Sequence, residues 1–408
     1  MTTLDIEFVR SQFPAFAEPS LKGQAFFENA GGSYTCKPVL DRLMRFYTQR
    51  KVQPYAPYEA STLGGAEMDE ARARLAAMMG VETDELSFGP STTQNTYVLA
   101  QAFRQFLSPG DAIIVTNQDH EANTGPWRRL ADAGIEVREW QLDPQTGHLD
   151  PGDLEKLLDD KVRLVCFPHC SNVVGEINPV AEVSAMAHAI GAFVCVDGVS
   201  YAPHGLPNVA ELGPDIYLFS SYKTYGPHQG VMVIRRSLGD LLPNQAHFFN
   251  ADTLYKRFTP AGPDHAQVAA SAGMADYVDI LCDHHGGPTQ GAAERAAFVH
   301  DLMRAHEVKL LQPLLDMLKA RNDVRLLGPD EAENRAPTVA VHLNRPAEPV
   351  AAQLAEYGIM AGGGDFYAVR ALQAQGIDPE DGVLRLSFTH YTSEQEMAQL
   401  MDALEKVL

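Results

Sequence analysis

Two short, mostly apolar runs, Ala192–Val196 and Ile216–Ser220, constrain the fold most strongly, because each lies next to a polar residue able to do chemistry. Runs of this length and character are typical of strands buried on both faces of a parallel sheet. Asp197 follows the first run and Lys223 follows the second. The ligand crevice of an open α/β sheet lies outside the carboxyl ends of its strands, so we predict that both side chains face one crevice.

The segments around these runs alternate between strand-like and helix-like patterns. Further strands are predicted at Ala112–Thr116, Val137–Gln141, Val162–Phe167 and Val231–Arg235, and helices at Asp69–Met79, Thr92–Phe106, Trp127–Ala133, Leu154–Leu158 and Val180–Ile190. Such alternation indicates right-handed βαβ crossovers and an α/β fold. We therefore predict a mostly parallel central sheet with helices on both faces.

The length of 408 residues exceeds what one core usually supports, so two domains are expected. A long amphipathic helix at Ala292–Lys319 begins a different pattern. It is followed by the predicted strands Thr338–Leu343 and Leu384–Phe388 and the predicted helices Val350–Tyr357 and Ser393–Leu408. We expect an N-terminal segment at 1–20, a large domain at 21–290, and a smaller α+β domain at 291–408 that includes the N-terminal segment.

The charge balance excludes some classes of partner. The net charge is −21, from 32 basic and 53 acidic residues, whereas nucleic acids and anionic membranes require a basic face. The first residues carry charges at Asp5, Glu7 and Arg10 and lack the apolar core of a signal peptide. No run is long enough to span a membrane. We expect a cytoplasmic protein with neither a nucleic-acid nor a membrane partner.

The cysteines and histidines do not form a metal or disulfide pattern. The five cysteines are odd in number and irregularly spaced, which makes a disulfide framework improbable. Cys166 and Cys195 lie inside apolar runs and are expected to be small buried hydrophobic residues. Neither a CxxC pair nor a zinc-ligand spacing of histidines occurs, so no metal site is predicted.

Lys223 and Asp197 together predict a cofactor. A single lysine after a strand is usually solvated, but Lys223 lies among hydroxyl residues and glycines between two apolar strands. Burial beside another cation lowers a lysine pKa and makes the amine nucleophilic toward a carbonyl. Taken alone, Asp197 is equally compatible with a functional role and with a structural role in a turn or helix cap. As a pair, an amine and an acid in one crevice meet the requirements of pyridoxal 5′-phosphate, whose ring nitrogen takes an acidic partner.

Hydroxyl residues at a helix start provide a candidate phosphate site. Thr92 and Thr93 begin a predicted helix after Gly89-Pro90-Ser91. Most such residues are plain N-caps, but free N–H groups and the helix dipole also attract anions. A cofactor phosphate would fit there, with help from Ser220 and the Tyr222 hydroxyl.

Three further polar residues lie after or within predicted strands. His120 is compatible with a surface or capping role, and also with stacking on a flat aromatic ring. Asn172 is compatible with a turn, and also with donation to a phenolic oxygen of the cofactor. Arg385 interrupts an apolar alternation, so it requires a partner: a structural salt bridge or a substrate carboxylate held by two hydrogen bonds.

Together these residues resemble the class V aminotransferase family, the branch of pyridoxal-phosphate fold type I that includes the cysteine desulfurases. The resemblance extends from Phe26–Gly32 to Arg385–Ser387. It is most specific from Val196-Asp197-Gly198 through Ser220–Lys223 to Tyr225-Gly226-Pro227, with further matches at Asn172–Pro179 and His120–Trp127.

The resemblance implies a role for each matched residue. Lys223 corresponds to the Schiff-base lysine, Asp197 to the partner of the ring nitrogen, and His120 to the ring-stacking histidine. Asn172 corresponds to the residue facing the phenolic oxygen, and Arg385 to the arginine that binds the substrate carboxylate. The other implied positions are Thr92, Thr93, Ser200, Ser220 and Tyr222 for the cofactor and Asn29, Ala30 and Gly31 for the substrate. The family is usually dimeric, which implies a homodimer.

One departure from the family pattern reduces the number of reactions that the sequence allows. Desulfurases carry a nucleophilic cysteine on a loop of the small domain, but the matching stretch Gly362–Ala368 has none and no cysteine follows Cys282. A persulfide requires a thiolate. We therefore predict an aminotransferase acting at the α-carbon of a small amino acid. A β-eliminating lyase, an epimerase and a non-catalytic binding protein of the same fold remain open. The sequence motifs of α/β hydrolases and dinucleotide-binding dehydrogenases are absent.

Overall fold

The structure is a computed structural model that describes residues 3–408, so the first two residues of the predicted N-terminal segment lie outside the described residues. The strands in chain order are β1 Ala25–Phe26, β2 Leu86–Gly89, β3 Ala112–Thr116, β4 Glu136–Trp140, β5 Val162–Pro168, β6 Phe193–Asp197, β7 Ile216–Ser220, β8 Gly230–Ile234, β9 Arg325–Leu326, β10 Thr338–His342, β11 Ile359–Met360, β12 Gly362–Gly364 and β13 Val383–Ser387. The α-helices are α1 Ile6–Ser11, α2 Lys37–Gln49, α3 Glu59–Met78, α4 Thr92–Phe106, α5 Glu121–Arg128, α6 Pro151–Glu155, α7 Val180–Ala189, α8 Val209–Leu212, α9 Arg236–Gly239, α10 Leu254–Arg257, α11 His265–Ala270, α12 Ala272–His284, α13 Ala292–Lys319, α14 Glu348–Glu356, α15 Val369–Ala374 and α16 Glu394–Val407.

The largest sheet has seven strands in the order β2-β8-β7-β6-β5-β3-β4. Strand β8 is antiparallel to both neighbours, and the pairs among the other strands are parallel. The predicted mostly parallel α/β sheet is therefore confirmed. Strands β6 and β7 are neighbours, with Asp197 in register with Leu218, so the carboxyl ends of the two opening runs meet at one edge.

The central sheet has a hydrophobic core on each face. Along β6, Val194 and Val196 belong to one core and Cys195 belongs to the other. The first core packs against α3, α7 and α12, and the second packs against α4 and α5. Cys166 and Cys195 are fully buried free thiols, as the sequence predicted. Burial on both faces explains why these strands are apolar without alternation.

The C-terminal part of the chain builds a smaller antiparallel sheet, β12-β13-β10-β9. Its core includes apolar residues of α13, α14 and α16. Residues 25–28, which fall inside the predicted large domain, join this part, because β1 pairs in parallel with β11 and Glu28 forms a bridge with Ser387. The division into segments 1–20, 21–290 and 291–408 stays a prediction.

The predicted helices and strands agree best with the structure where the hydrophobic pattern of the sequence is regular. Helices α4 and α13 and strands β3 and β7 have the predicted bounds. Helix α3 begins at Glu59 rather than at Asp69, since the pair Gly64-Gly65 weakens the helical pattern without ending the helix. Helix α12 was not predicted, because its many buried residues leave no clear polar face to mark a period.

Residues 3–408 contain neither a membrane-spanning helix nor a cluster of potential metal ligands. No helix in this range combines the length and apolar character needed to cross a membrane. The same residues hold no cluster of three or more histidine, cysteine or acidic side chains suited to a metal ion.

Candidate active site

The carboxyl ends of β3, β5, β6 and β7 open into one cavity. The cavity brings together the residues that the sequence predicted for cofactor contact. They are Thr92, Thr93, His120, Asn172, Asp197, Ser200, Ser220, Tyr222 and Lys223. A second cavity adjoins it and contains Ala30, Gly31 and Arg385, three of the four predicted substrate-binding residues.

One end of the first cavity is suited to a phosphate. Ser91 caps α4 by accepting a hydrogen bond from the Gln94 N–H, which leaves the N–H groups of Thr92 and Thr93 without a helical partner. The hydroxyl oxygens of Thr92 and Ser220 lie 2.8 Å apart. Gly230 permits this close approach, since a Cβ there would lie 2.6 Å from the Thr92 nitrogen. Hydroxyls and free N–H groups at a helix start are the usual donors for a phosphate.

Asp197 ends β6 and is buried. Its Oδ1 accepts a hydrogen bond of 2.8 Å from the Val199 N–H. Burial raises the pKa of Asp197 to about 6, although the Val199 N–H and the charge of Lys223 act in the opposite direction. At neutral pH the group is therefore mostly a carboxylate, which can hold a proton on a ring nitrogen placed against it.

Lys223 ends the short 3-10 turn Ser221–Lys223 that follows β7. Burial lowers the pKa of Lys223 to about 8, and the positive charge of Arg385 lowers it further, while Asp197 and Glu28 raise it. About a tenth of the amine is then neutral at pH 7. A neutral amine is the form that attacks a carbonyl and accepts a proton.

His120 is the N-cap residue of α5, and its Nδ1 accepts a hydrogen bond of 3.0 Å from the Ala122 N–H. This bond places the proton of the neutral ring on Nε2. Burial lowers the pKa of His120 to about 4, and the charges of Lys223 and Arg385 lower it as well. The ring is therefore uncharged at neutral pH, which suits it to stack on a flat cofactor ring.

Asn172 connects the large domain to the C-terminal part of the chain. Its Nδ2 donates a 2.9 Å hydrogen bond to the carbonyl oxygen of Phe366, and its buried Oδ1 has no partner among the described residues. One N–H of the amide remains for a ligand. The predicted donation to a phenolic oxygen stays a prediction.

Arg385 lies on β13 with only 3% of its surface exposed. Its Nη2 donates to Glu28 Oε1 at 2.6 Å, and its Nη1 donates to the Asn172 carbonyl oxygen at 3.3 Å. The guanidinium carbon lies 3.7 Å from the centre of the Phe366 ring. Arg385 therefore has the salt bridge that the sequence analysis weighed, and it also faces the second cavity.

Asn29 is turned away from both cavities. Its Nδ2 donates to the carbonyl oxygens of Phe26 and Ser387, and its Oδ1 accepts a hydrogen bond from the Tyr391 hydroxyl. Asn29 thus holds the loop that presents Ala30 and Gly31 to the second cavity. Direct contact of Asn29 with substrate stays a prediction.

Sequence reasoning did not single out Asp119. It lines the first cavity beside His120, is buried, and has one oxygen without a partner. Burial and the nearby negative charge of Asp197 raise the pKa of Asp119 well above its usual range. The signal was present, since Asp119 follows β3 much as Asp197 ends β6.

The other omissions were Glu28 and the Phe366-Tyr367 pair. Both aromatic residues have left-handed backbones, with φ of 51° and 57°. The Tyr367 carbonyl accepts from the Glu121 N–H at 2.8 Å, so the loop is held over the site entrance. Tyr367 itself is 71% exposed and its ring lies 5.3 Å from that of His120. The position of these two residues at the site entrance follows from their backbone conformation, which the sequence pattern does not indicate.

The donor set of the first cavity fits pyridoxal 5′-phosphate. The cavity offers a phosphate cup whose close packing depends on Gly230, an acid, a neutral flat ring and a partly neutral amine. It also contains buried oxygens of Asp119 and Asn172 that lack partners among residues 3–408. Polar atoms of this kind are normally satisfied, so they indicate a polar ligand.

Comparisons with known proteins agree with this geometry. A family model described as aminotransferase class-V matches residues 25–248 and 292–400. An aminotransferase-like protein of Gibberella zeae is 34% identical over 419 residues, covering 100% of this chain and 99% of the relative. A cysteine desulfurase of Serratia proteamaculans is 30% identical over 422 residues, covering 98% of each chain.

A solved structure is similar over the same length. The cysteine desulfurase of Thermococcus onnurineus superposes with a TM-score of 0.85 at 24% identity, covering 100% of this chain and 98% of the other. At that identity the likeness concerns the fold. The predicted architecture of pyridoxal-phosphate fold type I is confirmed.

Proposed function

The chain belongs to the class V aminotransferase family, whose cofactor is pyridoxal 5′-phosphate, and we propose that it catalyses transamination at the α-carbon of a small amino acid. The observation that carries this proposal is the placement of Lys223 and Asp197 in one cavity beside a phosphate cup. The amine can accept and return a proton, and the acid can sustain a protonated ring. These two functions are what proton transfer at an α-carbon requires.

When bound, the cofactor supplies a carbonyl for capture of an amine and a ring that accepts the electron pair left at the substrate α-carbon. Thr92, Thr93, Ser220 and Tyr222 would hold its phosphate. Asp197 would keep a proton on the ring nitrogen, and His120 would cover one face of the ring. Ser200 and Asn172 would complete the contacts of the ring and its phenolic oxygen.

Lys223 would move the reacting proton. Its Nζ has a pKa close to neutral pH, which is the condition for an efficient general base and acid. The group would take the proton from the substrate α-carbon and deliver it elsewhere in the same cavity. Arg385 would hold the substrate carboxylate and so keep the α-carbon within reach.

The absence of a suitable thiol supports transamination over persulfide chemistry. Cys170 is the one cysteine among the residues lining the first cavity, and its thiol donates to the carbonyl oxygen of Gly175 at 3.2 Å. Burial raises the pKa of Cys170 to about 12, so the thiolate is scarce at neutral pH. At the entrance, the loop Gly362–Ala368 carries the exposed Tyr367 and no cysteine.

A β-eliminating lyase is the second candidate. It is favoured by the relatives named cysteine desulfurases, which match over nearly their whole length. Elimination would use the same proton transfer by Lys223 and would differ in the loss of a group from the substrate β-carbon. The products separate the two candidates.

The test is a panel of amino acids incubated with protein loaded with pyridoxal 5′-phosphate. Accumulation of pyridoxamine 5′-phosphate together with a 2-oxo acid, measured by mass spectrometry, is the expected result. Release of pyruvate with ammonia or sulfide would instead identify the lyase. Lys223→Ala should lose the visible absorption of the bound cofactor and all turnover, while Lys156→Ala, at an exposed lysine, should keep both. A protein that binds no cofactor would overturn the proposal.

We also propose that the protein is a homodimer. Phe248 and Phe249 are 87% and 69% exposed and contact each other edge to face. Contiguous exposed apolar surface is typical of a contact with another chain. Sedimentation should give a dimer for the natural protein and a smaller species for the variant Phe248→Asp, Phe249→Asp. A monomeric natural protein would contradict the proposal.

A further inference from the structure

We propose that Glu28 determines specificity by competing with the substrate: its carboxylate occupies Arg385 in the free site and must leave before a substrate carboxylate can bind. The inference rests on the proposed function, because it concerns the substrate side of the same active site. It assigns to Glu28 a role that the sequence analysis did not consider.

The guanidinium of Arg385 already has partners in the free site. A carboxylate binds arginine most strongly through two parallel N–H groups, from the Nη1–Nη2 edge or from the Nε–Nη2 edge. Nη2 carries one N–H on each edge, and it already donates to Glu28 Oε1 at 2.6 Å. Nη1 donates to the Asn172 carbonyl oxygen, Nε is buried without a partner among residues 3–408, and the Phe366 ring covers one face of the guanidinium plane. A carboxylate that forms two bonds through either edge therefore has to share Nη2 with Glu28 or replace Glu28 there.

The backbone around Glu28 leaves room for its carboxylate. Glu28 forms a bridge with Ser387, two residues from Arg385 on the same strand. An added Cβ at Gly31 would lie 2.8 Å from Glu28 Oε1, and one at Gly362 would lie 3.0 Å from Glu28 Oε2. Two glycines from distant parts of the chain thus make room for one carboxylate. The ion pair of Glu28 and Arg385 is therefore positioned by the surrounding backbone and differs from a contact of two flexible surface side chains.

The Glu28 side chain can move away from Arg385 toward solvent. Its side chain keeps 29% of its surface exposed, whereas that of Arg385 keeps 4%, and both line the second cavity. If Glu28 stayed, an entering carboxylate would place two negative charges on one guanidinium in a partly buried site. If Glu28 withdrew toward solvent, the substrate would take over the ion pair with the local charge unchanged.

The consequence is a penalty on carboxylate ligands alone. An amine without a carboxylate can enter the cavity and leave the pair intact, whereas an amino acid has to displace Glu28. Hydrogen bonds to charged groups are strong enough that removing the competitor should improve carboxylate binding about tenfold or more.

Two reagents that differ by a carboxylate can measure this penalty. Aminooxyacetate and O-methylhydroxylamine both capture the bound aldehyde and abolish its visible absorption, and the ratio of their rate constants reports the preference for a carboxylate. We expect Glu28→Gln to raise this ratio about tenfold. The double variant Glu28→Gln, Arg385→Gln should lose the gain. Glu121→Gln is the matched control, since Glu121 lines the same cavity and its ion-pair partner is Arg370.

A second measurement uses protein without cofactor. Acetate should raise the Tm of the Glu28→Gln apoprotein more than that of the natural apoprotein, because Arg385 is then open to it. If Glu28→Gln does not fold, Glu28→Asp withdraws the carboxylate by one methylene and should give a smaller gain in both measurements.

An unchanged ratio and an unchanged acetate effect in the Glu28 variants would overturn the inference, and so would an equal gain in Glu121→Gln. Absence of visible absorption after incubation with cofactor would instead overturn the proposed function. In that case the acetate measurement on the apoprotein still decides the role of Glu28.

Discussion

Two arginines of the C-terminal part of the chain are buried, and they are partnered in opposite ways. Arg335 is fully buried and donates to the backbone carbonyl oxygens of Leu327, Pro329 and Thr338, at 2.5 to 3.1 Å. Arg385 is nearly as buried but is paired with a carboxylate, and it faces a cavity. Burial lowers the pKa of both, that of Arg335 to about 10.

The difference shows how the surroundings of a buried charge separate a structural role from a functional one. The partners of Arg335 are backbone carbonyls. By donating to them, Arg335 links the end of β9, the loop after it and the start of β10, so its charge stabilises the structure. The partner of Arg385 is a side chain with access to solvent, so its charge can be transferred to a ligand. The same residue type thus stabilises structure in one place and recognises a ligand in the other.

The largest effect should come from removing Arg335. Arg335→Met leaves three buried carbonyl oxygens without their donors, and we expect the free energy of unfolding to fall by about 3 kcal/mol. Urea unfolding followed by circular dichroism measures the loss. Arg385→Met should lower stability by about 1 kcal/mol or less, because Glu28 then faces solvent in the cavity. Equal losses in the two variants would break the comparison.

Arg385→Gln should affect catalysis instead of stability. Loss of a charged partner for the substrate carboxylate should reduce kcat/KM for an amino acid about a hundredfold, mainly through KM. Steady-state kinetics with the best substrate of the amino-acid panel measure this change. Folded Arg335→Met protein, assayed below its unfolding temperature, should retain the natural kcat/KM. A similar kinetic defect in Arg335→Met would contradict the separation of roles.

The pH dependence of cofactor capture should report the charges near Lys223. Only the neutral amine attacks the aldehyde, so the rate of capture by the apoprotein should rise with pH and level off above about 8. Removing a cation raises this pKa and removing an anion lowers it. Stopped-flow absorbance should therefore place the midpoint higher in Arg385→Gln, lower in Glu28→Gln, and unchanged in Arg335→Met.

The same pKa shift has a consequence for apoprotein stability. The folded pKa of Lys223 lies below its unfolded value of 10.5, so the unfolded chain binds more protons between pH 8 and 10.5. This group's contribution to stability should therefore rise with pH through that window. Lys223→Met should remove the contribution, and an unchanged pH profile of urea unfolding in that variant would contradict the assignment.

The smallest expected effect concerns the ring over Arg385. Phe366→Leu removes a cation–π contact while keeping an apolar side chain, and it should weaken carboxylate binding about threefold. The ratio of aminooxyacetate to O-methylhydroxylamine reactivity measures it. Tyr367→Phe alters an exposed neighbour and should leave the ratio unchanged. A larger change in Tyr367→Phe than in Phe366→Leu would indicate that Tyr367, and not the contact between Phe366 and Arg385, controls binding of the carboxylate.

Local pattern was enough to predict the half of the site that lies on the central sheet. Strand β7 and helix α4 have the predicted bounds, and Asp197 and Lys223 face one cavity, because buried parallel strands and capped helices have strong local signatures. Asp119 was within reach of the same reasoning.

The substrate side could not be predicted from local pattern. Glu28 and Arg385 are separated by 357 residues, and nothing near either of them specifies the other. The left-handed backbones of Phe366 and Tyr367 are equally hidden, since aromatic residues rarely adopt them. Such features depend on how β1, β11 and β13 come together, which is a property of the tertiary structure.

The bridge between Glu28 and Ser387 also sets an order of events during synthesis. The strands that form the cofactor cavity have all been synthesised once β8 is made, whereas β13 follows about 150 residues later, roughly 8 to 30 s at ordinary elongation rates. Until then Glu28 has no arginine to meet. The residues that line the cofactor cavity are therefore all present in the nascent chain well before the arginine that would recognise a substrate carboxylate.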